Sequence, residues 1–214
     1  MTTIVITPPA ELPVSLDYAK RQLRISDTDD DELISDLIAA ATGAIDGPSG
    51  WLGRALITQT LEHQTDEFGT QLGVFPSTDT NIYLPCRPIV SITSVKYDDS
   101  SLVEQTISAS AYRFVQPNVL GLASGSSWPT AYAQTGAVRI RYVAGYGDAD
   151  DVPAAIRQAI VLAVKDLYSL GERNLFVARK SIVGVSDTQY VVSDSASNII
   201  FKASERLLAP YRVI

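Results

Sequence analysis

The sequence predicts an α+β chain: a helical core of three main helices, a β-rich insert between helices 2 and 3, and a C-terminal amphipathic helix. Three observations predict it. Apolar residues recur at spacings of three and four over 15–50 and 152–173. Between 54 and 147 that pattern gives way to short runs rich in Val, Ile, Thr and Tyr, separated by turn residues. Helical spacing then returns over 199–208. With 214 residues, 46% hydrophobic and 19% charged, the chain has the composition of an ordinary globular protein with a substantial core.

Residues 1–14 read as extended and Pro-rich, with Pro8, Pro9 and Pro13. Ser15 offers an N-cap for a first helix over 15–24, with Leu16, Ala19 and Leu23 on one face. An acidic run, Asp27 to Glu32, precedes the second helix. Asp29 as N-cap would place Glu32 at the third helical position, a capping box. Leu33, Ile34, Leu37, Ile38, Ala41 and Ile45 then form one buried stripe, and Gly47-Pro48 ends the helix.

In the β-rich region, strands are expected from Thr58, at Ile82 to Leu84, at Ile89 to Tyr97 and at Tyr112 to Val115. Asp98-Asp99-Ser100-Ser101 supplies a turn. The clearest strand is Ala137 to Val143, with Val138, Ile140 and Tyr142 on one face and Arg139 and Arg141 on the other. Gly121 to Gly136 reads as a loop around Trp128-Pro129.

The third helix opens with acidic residues 148–151 and Pro153 in its first turn. Ile156, Ala159, Ile160, Ala163, Val164 and Leu167 form its inner stripe, while Val161, Leu162, Tyr168 and Leu170 lie outside it. A helix apolar on more than one side must be packed on two, within the subunit or against another chain. Those four residues are the candidate subunit interface. Residues 172–197 are polar, with a β-leaning piece at Gln189 to Val192, and Asn198 can cap a last helix to Leu208. Its apolar residues are Ile199, Ile200, Ala203, Leu207 and Leu208. A helix this short needs something to dock on.

Composition and motifs argue against several classes of function. A net charge of −7 disfavours a phosphate grip. One cysteine, Cys86, permits neither an internal disulfide nor a cysteine-based zinc cluster. No stretch reaches the length of a membrane span, and no signal peptide opens the sequence, so synthesis in the cytoplasm is expected. The Asp27–Glu32 run places Asp27, Asp29 and Asp31 at calcium-loop positions, but has Glu32 where glycine is required and Ile38 where a bidentate acid is required. His63 is the sole histidine, sits in a polar strand and has no G-x-S-x-G partner motif. Gly145-Tyr146-Gly147 lacks the rest of a phosphate loop and reads as a strand-to-helix turn. Trp51 and Trp128 read as anchors that pin loops to the core. No catalytic residue, metal site or cofactor is expected.

The ordered pieces of this pattern resemble the head–tail connector family of tailed phages and of prophage-derived gene transfer agents. They are Ser15-Leu16-Asp17, Ala19-Lys20 and Leu23-Arg24-Ile25, then Asp29-Asp30-Asp31 with Leu33-Ile34 and the alanine-rich helix to Ile45-Asp46. Gly53-Arg54-Ala55-Leu56 with Thr58-Gln59-Thr60 follows, then Leu84-Pro85, Pro88-Ile89, Ser91-Ile92 and Val95 to Asp98. Trp128-Pro129, Val138-Arg139-Ile140, Tyr142, Ala144 to Gly147, Val152-Pro153, Ala155-Ile156, Ala159-Ile160 and Glu172-Arg173 complete the series, over about residues 12–173. The departures are a longer turn from Gly47 to Leu52, Ser100-Ser101 where glycine is common, and a longer tail after 174.

The resemblance implies a connector domain over 1–173, with a helical core at 15–50 and 152–173 and an insert at 54–147, and a C-terminal extension over 174–214. It implies a structural subunit without enzymatic activity, assembled as a homo-oligomeric ring, taken as a dodecamer, under the portal at the head–tail junction. The ring would extend the channel through which double-stranded DNA passes without specific binding. It would also carry the stopper or tail-completion protein. Similar adaptors reach the portal with C-terminal segments, which assigns Ile199, Ile200, Ala203, Leu207 and Leu208 to portal docking. The alternatives are a stopper or tail-completion protein of the same particle, or a small hydrolase using His63 or the Asp27–Glu32 run.

Overall fold

The computed structural model describes residues 1–69, 80–172, 179–182, 186–189 and 202–213, with backbone alone for 170–172, 179–182 and 186–189. It is a mixed α/β chain with antiparallel sheets and four described α-helices. The chain divides into two compact units. One comprises Met1–Glu11, Ile45–Asp151 and Val213–Ile214, the other Leu12–Ala44 and Val152–Arg212.

The helical unit holds α1 (Leu16–Leu23), α2 (Asp31–Gly43), α3 (Ala154–Glu172) and α4 (202–208). It also holds a hairpin of β-strands at Arg179–Ile182 and Ser186–Gln189. Ser15 caps α1 as the sequence predicts: its Oγ accepts from the Tyr18 N–H at 3.3 Å. The expected capping box on α2 does not form. Its N-cap is Asp30, one residue later, with no side-chain cap bond. The acids are used elsewhere. The Tyr168 hydroxyl donates to Asp30 Oδ2 at 2.5 Å, and Lys20 pairs with Asp31. α1, α2 and α3 pack on one another, burying Ala19, Ile34, Ile38, Ile156, Ile160 and Val164. Leu33, expected in the stripe of α2, is 47% exposed.

The β unit holds β1 (Thr2–Thr7), β2 (Gln59–Thr65), β3 (Ile82–Tyr83), β4 (Ile89–Asp98), β5 (Glu104–Thr106), β6 (Tyr112–Val115), β7 (Val119–Leu122) and β8 (Val138–Ala144). Five strands form an antiparallel sheet in the order β1-β2-β8-β4-β5, and three form a second in the order β3-β7-β6. β8 is central and alternates as its sequence predicts: Val138, Ile140, Tyr142 and Ala144 are fully buried, while Arg139 and Arg141 are half-buried. The core joins residues of both sheets, among them Leu61, Val95, Ile140 and Tyr142 from the first and Ile82 and Leu120 from the second. β1 and β7 are strands where the sequence suggests an extended lead and the start of a loop, and β5 is a strand in a stretch to which the sequence reading assigns no element.

Gly145 follows β8 at φ +133°, and a Cβ there would lie 2.5 Å from the carbonyl of Ile57. That close approach accounts for the glycine, with no phosphate involved.

Candidate functional site

The predicted surface on α3 divides. Val161, placed outside the inner stripe, is 3% exposed, so its side chain is already covered by this chain. The buried arc of α3, from Ala159 through Ile156 and Val164 to Val161, spans more than half its circumference, because the helix packs on both α1 and α2. Leu162 and Tyr168 are half-buried, and Tyr168 is also tied to Asp30. Leu167, assigned to the inner stripe, is 40% exposed. The side chain of Leu170 lies outside the described residues. Of the portal-docking candidates, Ile199 and Ile200 lie outside the described residues, Ala203 and Leu207 are half-buried, and Leu208 is 7% exposed.

In the β unit, one face of the five-stranded sheet carries a lattice of ion pairs. Arg139 Nη1 and Nη2 donate to the two oxygens of Asp98 at 2.9 and 2.5 Å, and Nη2 also reaches Glu104 Oε2 at 3.1 Å. Lys96 Nζ donates to the other oxygen of Glu104 at 2.7 Å. Arg141 Nη2 donates to Glu62 Oε2 at 2.8 Å, directly across β2 and β8. The Arg139 hydrogen bonds hold Asp98 below the usual carboxylate range, and Lys96 does the same for Glu104. At Glu62 burial acts to raise the pKa, but hydrogen bonds from Gln64 and Arg141 outweigh it and leave the carboxyl below its ordinary value. Lys96, Arg139 and Arg141 therefore each face a carboxylate across a short distance, which leaves little charge for a phosphate.

The groups with chemical potential are enclosed. His63 is 6% exposed, its Nδ1 lies 2.9 Å from the Thr3 hydroxyl, and burial pushes its pKa down to about 4. Cys86 is 1% exposed and burial pushes its thiol up to about 12, so it is a poor nucleophile at neutral pH. Asp46 accepts from the Leu56 N–H at 2.7 Å and from Nε2 of Gln59, the first residue of β2, at 3.3 Å. Among the described residues, no cluster of three or more His, Cys, Asp or Glu is placed to hold a metal, and no helix is long and apolar enough to cross a membrane.

The two tryptophans differ. Trp128 stacks on Phe68 with ring centroids 4.9 Å apart and donates its indole N–H to the Thr80 carbonyl at 2.7 Å, an anchor as predicted. Trp51 is 37% exposed, in the loop that precedes β2. Two further apolar surfaces were not singled out from the sequence. Ile4, Val5 and Ile6 are exposed on the edge strand β1, and Leu102 and Val103 at the tip of the β4–β5 hairpin. The uncharged β-branched run Thr3-Ile4-Val5-Ile6-Thr7 was a signal for the first. The exposure of the tip depends on a turn conformation that the sequence does not display.

Comparison with known proteins adds to this geometry. Three solved structures are similar over the full length, each match covering 100% of this chain and 96% of the other. One comes from the neck of an empty GTA particle computed with C6 symmetry, at 18% identity and TM-score 0.67. Another comes from the virion of a native gene transfer agent (GTA) particle, at 19% and 0.68. The third comes from the neck of a native GTA particle computed with C12 symmetry, at 18% and 0.61. These likenesses show a shared fold. No curated protein matches the chain. Residues 13–107, from the lead into α1 to just past β5, match the phage gp6-like head–tail connector protein family, the family whose pattern this sequence resembles.

Proposed function

We propose that the chain is a structural head–tail connector subunit, assembling as a ring at the neck of a phage-like particle and catalysing no reaction. The observation that carries the proposal is the connector-family match over 13–107, continued through the whole chain by the fold it shares with GTA neck structures. The C12 symmetry of one such neck supports a ring of twelve copies. In this reading the helical unit is the connector core and residues 54–147 are the β-rich insert, part of a compact unit that also takes in Met1–Glu11. The ring sits under the portal, extends the DNA channel and offers the platform for a stopper or tail-completion protein.

The portal-docking role of the 174–214 extension stays part of the proposal, carried by Ile199, Ile200, Ala203 and Leu207; Leu208 is largely covered by its own chain. Leu162, Tyr168 and Leu170 remain proposed subunit contacts, without Val161. The ion-paired sheet face and the net charge of −7 support passage of DNA without a grip on its phosphates.

Electron microscopy of particles from a strain lacking this gene tests the function. Heads that are DNA-filled or leaking, and tailless, are expected. Normal tailed particles would overturn it. Co-sedimentation with purified portal separates the connector from a stopper, since a connector binds portal directly.

A further inference from the structure

The five-stranded sheet ends in two edges of different character. At one edge, β1 exposes three consecutive apolar residues, Ile4 at 39%, Val5 at 44% and Ile6 at 38%, so both faces of the strand are uncovered. Its register breaks between Val5 and Thr7, and residues 1–10 carry no charged side chain. Sheet edges are guarded by charge, proline or a bulge; here the register break and Pro8-Pro9 guard one end, and the apolar stretch before them carries no charge.

At the opposite edge, the β4–β5 hairpin presents Leu102 at 58% and Val103 at 52% exposure. Leu102 is held at φ +61°, where glycine or asparagine would sit with less strain. The turn is fixed by Asp99. Its Oδ1 accepts from the Ser101 N–H at 2.8 Å and the Val103 N–H at 3.1 Å, its Oδ2 from Gln105 Nε2 at 2.8 Å, and its carbonyl from the Leu102 N–H at 2.9 Å. A leucine that is both strained and open to water breaks two local rules at once, which points to a contact made by its side chain.

A closed head-to-tail ring requires two different patches on opposite sides of one rigid body. The sheet supplies that pair: β2, β8 and β4 lie between the edges, which puts the strands about 19 Å apart. We propose that, in the ring, Leu102 and Val103 of one copy pack against Ile4, Val5 and Ile6 of the next. This rests on the ring assembly proposed above, and adds which surfaces close it.

The test is oxidative cross-linking of particles assembled with V5C/V103C as their sole copy of the chain, with both single variants and wild type as controls; Cys86 is buried in all of them. The expected result is a ladder of species larger than dimers from the double variant only. Dimers from V5C alone would indicate symmetric β1–β1 pairing and overturn the proposal. So would no ladder in particles that contain the chain. Wild-type chain absent from the particles would instead overturn the connector function itself. L102G gives an independent readout, because relieving φ and removing the side chain act in opposite directions. Its melting temperature should match or exceed wild type while its incorporation into particles falls about tenfold. Normal incorporation of a folded L102G would overturn the proposal even if the cysteine variants failed to assemble.

Discussion

Arg139 on β8 holds both oxygens of Asp98 on the neighbouring strand β4, at 2.9 and 2.5 Å. The two residues are 41 positions apart in sequence, so the pair ties the central strand to the end of β4 where the hairpin begins. R139A should lower stability by about 1 kcal/mol. The pH dependence follows from the lowered carboxyl pKa of Asp98 and Glu104. Their contribution is complete above the ordinary carboxylate range and is lost as pH falls through the depressed values. Urea unfolding of wild type and R139A at pH 7 and pH 3 should show the gap narrowing in acid.

His63 should make the fold sensitive to a milder acid range. Its folded pKa of about 4 lies below the ordinary 6.5, so the unfolded chain binds the proton first. Stability therefore falls by about 1.4 kcal/mol per pH unit as pH drops from 6.5 toward 4. H63Q removes this component. Denaturation of both proteins at pH 7 and 5 should show wild type losing about 2 kcal/mol more than the variant.

Tyr142 is fully buried in β8, and its hydroxyl donates to the Pro85 carbonyl at 2.9 Å. Y142F keeps the ring and orphans that carbonyl, at a cost of about 1–2 kcal/mol. Y142A also empties the core and should cost about 3–5 kcal/mol. Thermal or chemical melts that fail to rank the two in this order would contradict the packing described.

Asp46 behaves in the opposite sense to the surface acids. Burial raises its pKa, offset in part by hydrogen bonds from Leu56, Gln59 and Gly47. Its contribution is therefore strongest in acid and weakens as pH rises through the raised value. D46A leaves the Leu56 N–H without its acceptor and should cost about 2 kcal/mol. D46N can still accept that bond, so it should cost less and lose the pH dependence, as denaturation at pH 4 and 7 would show.

Much of this architecture was legible because single-element rules were obeyed. Ser15 caps its helix, Tyr112 to Val115 is a strand as read, and β8 alternates residue by residue. The misreadings came from interactions distant in sequence. Asp29 and Glu32 have the spacing of a capping box, yet α2 starts later while Tyr168, 138 residues away, takes the Asp30 carboxylate. Val161 falls off a single helical stripe but is buried, because α3 packs on two other helices. Residues 1–14 read as a Pro-rich lead because the proline pair at 8–9 outweighs the β-branched run before it, and the partner of β1, β2, begins only at Gln59. The exposed Leu102 shows no periodicity at all, since backbone conformation alone marks it.

The order of synthesis gives the division of the chain a kinetic meaning. α1 and α2 leave the ribosome after β1 and before β2 to β8, yet their partner α3 begins only at Ala154. All eight strands of the two larger sheets precede that helix in the chain and emerge ahead of it. The nascent chain thus carries a nearly finished sheet domain while the apolar sides of its first two helices wait uncovered for most of elongation. That is the interval in which a chaperone has the most to hold.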